Sequence, residues 1–173
     1  MEERKNKLIA EFESLRQDRV NNGIAYEKQL ELERQGTIEA IQVYLSQEKS
    51  KFDFSEYMAL IGDALSCWKR ISGKANDLKG LIEFYKSEYY KNMPYNDIKA
   101  KLYARIITDR NPIETGDSMD VANISSMAPY CNMILTDKKM RNRIYDLSIH
   151  INYDVNIFSL KNYDELMDYI QAI

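Results

Sequence analysis

The chain has 173 residues, 45% of them hydrophobic and 29% charged, with a formal net charge of −3. That is enough for one domain with a sizeable core, and the acidic balance argues against a surface built for tight, sequence-independent nucleic-acid binding. The two cysteines, Cys67 and Cys131, lie outside any Cys-x-x-Cys spacing, and His150 is the lone histidine; a zinc–histidine cluster is thereby excluded and few nucleophile–histidine pairs remain. No apolar run approaches the roughly 18 residues of a membrane span, and the opening is too charged for a secretory signal. A cytoplasmic chain with two reduced thiols and no membrane partner is the expectation.

Residues 1 to about 50 read as long helix. Leu8, Ile9, Phe12 and Leu15 form a first apolar stripe, and Leu30, Ile38, Ile41, Val43 and Leu45 continue it less regularly. Gly23 and Gly36 are expected breaks. The pattern predicts an antiparallel helical pair over 1–50, ahead of a core over 51–173, the whole forming a single domain. Heptads are not sustained, so a coiled coil ranks below simple packing; a protein partner or a second copy docking on these helices is the alternative use. Arg16, Arg19, Lys28 and Arg34 are interleaved with glutamates, which fits a solvated face.

From 50 to 110 the chain is aromatic-rich and helical. Phe52, Phe54, Tyr57, Met58, Leu60, Ile61, Leu65 and Trp68 form a dense apolar segment with Ser55 as a candidate cap. Ser72-Gly73-Lys74 is a turn, lacking the Gly-x-x-x-x-Gly-Lys spacing of a phosphate loop. Leu78, Leu81, Ile82 and Tyr85 make another stripe. Tyr89, Tyr90 and Tyr95 lie near Lys86 and Lys91; such sets stack single-stranded bases in some proteins and close a core edge in more. Met93 to Asp97 is expected as a turn capped at Asn96, followed by a helix through Ile98, Leu102 and Ile106.

The most informative stretch runs from Gly116 to Lys138. Gly116 is a flexible entry, Asp117 or Ser118 a cap, and Val121, Ile124 and Ala128 recur at helical spacing until Pro129. Met133-Ile134-Leu135 then fits a short buried parallel strand, with Asp137 just past its carboxyl end, where open α/β sheets place ligands. Lys138 to Ser148 follows as a helix with Met140, Ile144 and Leu147 inward and Lys138, Lys139, Arg141 and Arg143 outward. Val155 to Ser159 is the last strand, and a closing amphipathic helix from Tyr163 follows, capped by Asn162. Helix, strand, helix, strand, helix makes half of a doubly wound α/β fold, predominantly helical, with a short parallel sheet that other elements must complete. An all-helical bundle is the competing architecture. His150, between Ile149 and Ile151, reads as structural. Two hard carboxylate ligands, one opening a helix and one leaving a strand, suit Mg²⁺ or Mn²⁺.

This stretch resembles the PIN-like nuclease superfamily. The likeness rests on Asp117 and Asp120 before an apolar helix, the Pro129-Tyr130-Cys131-Asn132 link, and Ile134-Leu135-Thr136-Asp137-Lys138; it extends weakly upstream through Phe84 to Tyr89 and Met93 to Tyr95. The resemblance implies a three-layer α/β domain that gathers acids at the carboxyl edge of a parallel sheet, binds Mg²⁺ or Mn²⁺ and cuts RNA. On it, Asp120 and Asp137 are metal ligands and catalytic residues, Asp117 joins them or orients a bound water, and Lys138 and Arg141 hold the substrate. The family's first motif, an apolar strand ending in Asp-Thr-Asn, has no counterpart in the charged, helical opening Met1 to Lys7, where Glu2 or Glu3 is at most the family's second acid. A catalytically inactive PIN-like interaction module is therefore the alternative function.

Overall fold

The computed structural model describes residues 2–46, 55 and 61–172. Helices dominate, joined by one short two-stranded parallel sheet. The helices are α1 (Glu2–Asn21), α2 (Tyr26–Leu45), α3 (Asp63–Ser72), α4 (Leu78–Lys86), α5 (Glu88–Lys91), α6 (Pro94–Thr108), α7 (Asp117–Met127), α8 (Lys138–Asp146), α9 (Ile149–Asn152) and α10 (Tyr163–Ala172). The strands are β1 (Met133–Leu135) and β2 (Asn156–Phe158), with a 3₁₀ turn at Leu160–Asn162 before α10. The chain divides into two compact units: residues 1–33 with 94–173, and residues 34–93.

In the first unit β1 and β2 pair in parallel, with Ile134 opposite Ile157. The ladder extends by one bond at each end: Asn156 N donates to Asn132 O, and Thr136 N to Phe158 O. Three residues per strand cannot hold a sheet alone. Ile134 and Ile157 are buried with Ile98, Leu102 and Ile106 of α6, Val121 and Ile124 of α7, and Met140 and Ile144 of α8. These apolar side chains give the sheet its covering, and the parallel pairing of β1 with β2 excludes the all-helical architecture.

Several sequence expectations hold here. Gly23 adopts φ 62°, a left-handed conformation open to glycine, and separates α1 from α2. Pro129 follows α7 within two residues of its end. Others are corrected. Gly116 has φ −85° and offers no side-chain cap; α7 begins at Asp117 itself, whose Oδ2 accepts from Glu114 N and so closes the turn before the helix. The helix through Ile98 begins at Pro94, a position where the missing N–H costs nothing, so Asn96 lies inside its first turn. The helix expected after Asp137 is present as α8, and a separate short helix, α9, follows Ser148 (φ 54°). Asn162 does not cap α10 with its oxygen, which accepts from Ser159 Oγ while Nδ2 donates to Glu165.

The second unit is held by Ile38, Ile41, Ile61, Leu81 and Tyr85, with Trp68 and Phe84 packed alongside. Gly36 does not break α2. Gly73 closes α3 at φ 73°. Asp77 caps α4 through Gly80 N and also accepts from Trp68 Nε1; a Cβ at position 80 would overlap that carboxylate, so the cap requires glycine there. Phe52, Phe54, Tyr57, Met58 and Leu60 lie outside the described residues.

Candidate metal centre

Asp117 and Asp120 stand one turn apart at the start of α7, yet their surroundings differ completely. Asp117 is 7% exposed. Its Oδ1 accepts from Arg143 Nη1 at 2.7 Å and its Oδ2 from Glu114 N at 2.9 Å, with Lys139 Nζ 3.9 Å away. Arg143, predicted outward on α8, is instead buried, because helical spacing points it at Asp117 on the neighbouring helix. Its Nη2 reaches Asp109 at 3.5 Å. Both oxygens of Asp117 are thus committed.

Asp120 is half-buried and has no side-chain hydrogen bond or ion pair among the described residues. Burial raises its carboxyl above the usual range, and the negative charges of Asp137, Asp117 and Glu114 push it further in the same direction. It borders a cavity of ≈ 220 Å³ that runs along β1 from Met133 to Thr136 and also meets Asn123 and Met127; Asp137 does not line it.

Asp137 caps α8. Its Oδ1 accepts from Met140 N at 2.8 Å, the standard use of an aspartate at a helix start. Oδ2 has no partner among the described residues. The chain therefore brings Asp120, Asp137 and Asp117 within electrostatic reach of one another, with Asp120 and one oxygen of Asp137 uncommitted. Among the described residues no group of three or more Asp, Glu, His or Cys is arranged to hold a metal ion.

The two substrate candidates separate likewise. Lys138 is exposed at the start of α8. Arg141 is turned back onto the fold: Nε donates to Ile157 O at 3.0 Å, the guanidinium lies 4.6 Å over the Tyr145 ring, and Glu165 is 3.5 Å away. His150 stacks on the other partner of that set, its ring 4.0 Å from Tyr145, in the structural role its neighbours suggested. Tyr90 packs 4.6 Å from Tyr85, at a core edge.

Sequence reasoning missed the loop that precedes α7. On α1, Glu13 and Arg16 form a two-bond pair at 2.6 and 2.9 Å. Arg16 Nη1 donates to Asp109 O and Arg110 O, and Glu13 Oε2 accepts from Ile113 N. The Arg16 bonds, the Ile113 amide and Gln17 hold the Glu13 carboxyl down at about 2. The i, i+3 spacing of Glu13 and Arg16 was visible; their target, nearly a hundred residues away, was not.

Among the described residues no helix is long and apolar enough to cross a membrane. Comparison with family models, curated proteins and solved structures returns no match.

Proposed function

We propose that this chain carries the acidic face of a PIN-like nuclease, with Asp120 and Asp137 holding Mg²⁺ or Mn²⁺ for hydrolysis of RNA phosphodiester bonds. One observation carries the proposal: Asp120 is a half-buried carboxylate without a partner among the described residues, crowded by other acids, beside a cavity along the parallel strand β1. A nearby cation is what such a group lacks, and perturbed carboxylates of this kind concentrate at functional sites. One or two carboxylates are a sufficient protein contribution for Mg²⁺, which retains several waters. When bound, the metal supplies an acidified water and charge stabilisation on the phosphate. Asp120 offers its oxygens directly. Asp137 offers Oδ2 while Oδ1 keeps the α8 cap. Asp117 is a positioning residue, fixing the start of α7 through Arg143. Lys138, free at the helix start, would meet the phosphodiester as a point charge.

A non-catalytic interaction module is favoured by a different observation: Asp117 and half of Asp137 are already spent on the fold, and among the described residues no three-ligand group accompanies them. Cleavage of single-stranded RNA separates the two functions. Mn²⁺-dependent cutting that Asp137→Asn and Asp120→Asn both abolish supports the nuclease. Cutting equal in wild type and both variants, or none in any of them, contradicts it.

A further inference from the structure

A second cavity, of ≈ 390 Å³, lies between the last turn of α6, the loop 109–111 and one side of α8. Four cationic side chains line it, Arg105, Arg110, Lys139 and Arg143, against two carboxylates, Asp109 and Asp146. The carboxylates are already answered. Asp146 pairs with Arg105 at 2.7 Å; Asp109 accepts from the Asn111 backbone and side-chain amides and approaches Arg143. Lys139 is held by Glu114 at 2.8 Å and by Pro112 O.

What remains is donor capacity without a taker. The Arg110 guanidinium has no partner among the described residues, and neither does the Asn142 amide. Arg143 is spent on Asp117, so the exposed Arg110 and Asn142 are the donors that a ligand can reach. A guanidinium presents a fork of N–H donors, and an oxyanion is the acceptor that matches its geometry. The loop bearing Arg110 is also fixed in advance, because Arg16 of α1 grips the carbonyls of Asp109 and Arg110. Preorganisation of this kind lowers the cost of ordering a binding group.

We propose that this cavity binds a phosphate group, carried by inorganic phosphate or by the end of an RNA strand, with the Arg110 guanidinium and the Asn142 amide as its donors. Arg105 and Lys139, each paired with a carboxylate, complete the polar wall. The site stands independently of any metal at Asp120.

The test is an amide-resolved NMR titration of the full chain with inorganic phosphate in metal-free buffer, at constant ionic strength set by chloride. Saturable shifts confined to Thr108–Asn111 and Lys139–Arg143 are expected, weakened roughly tenfold by Arg110→Ala and less by Asn142→Ala. Both variants alter exposed side chains that carry no hydrogen bond or ion pair among the described residues. Repeating the titration with a 5′-phosphorylated and a 5′-hydroxyl oligoribonucleotide identifies the source. Tighter binding of the phosphorylated strand, competed by phosphate, supports an RNA end; indifference to the strand with saturable phosphate binding supports a free phosphate. Absence of saturable shifts, or affinity unchanged by Arg110→Ala, overturns the proposal.

Discussion

The Asp117–Arg143 knot and the Asp120–Asp137 face sit within one helical turn of each other and illustrate opposite uses of a carboxylate. In the knot, a buried acid meets a buried guanidinium and a backbone amide, so both oxygens serve the fold. On the face, an acid crowded by like charges has no partner among the described residues to answer it. Removing charge should therefore damage the first region and relieve the second. Residue type and spacing do not distinguish them; the helix opposite does, because Arg143 lies across from Asp117 alone.

The largest expected effect comes from Arg143→Met, which leaves Asp117 buried and charged with only the Glu114 amide and the more distant Lys139 to answer it. A loss of about 3–5 kcal/mol in urea unfolding is expected, much of it restored by adding Asp117→Asn. No recovery in the double variant would break the assignment of the cost to the stranded charge. Asp117→Asn alone keeps the shape and loses the ionic bond, for an expected loss of about 1–3 kcal/mol in the same measurement.

Asp120→Asn is expected to raise stability at neutral pH. The folded carboxyl titrates above its unfolded value, so its favourable contribution exists at low pH and is lost as pH rises through the folded value. The variant should lack that loss. A clear destabilisation would place Asp120 with the knot and not with the face.

Glu13 supplies the converse pH signature. Its carboxyl falls from 4.5 to about 2 on folding, so its contribution is complete above about 4.5 and is lost as pH falls toward 2. Stability measured against pH across that window should decline less steeply in Glu13→Gln than in wild type. Equal slopes would show that the Glu13–Arg16 pair does not hold the 109–113 loop.

Much of the local fold is legible in the sequence; the contrast is not, and that has a physical cause. The short strand at Met133–Leu135, though only Ile134 of it is buried, and the end of α7 before Pro129 follow from local chemistry: an apolar run and a residue without an N–H. The burial of Arg143 did not, because four basic residues at a helix start look like a solvated face until an acid on another helix claims one. Arg141 was lost to the fold in the same way, through a carbonyl of β2. Asp117 and Asp120 were both marked as site residues since each opens the same helix. Only the long-range pairing divides them, and long-range pairing leaves no periodic trace.

Calorimetric titration with Mn²⁺ of wild-type protein and Asp120→Asn is the direct measurement of whether the unanswered acids hold a cation. One saturable event of millimolar or tighter affinity in wild type, absent from the variant, is the predicted result. Heats without saturation, or identical binding in the two proteins, would contradict it.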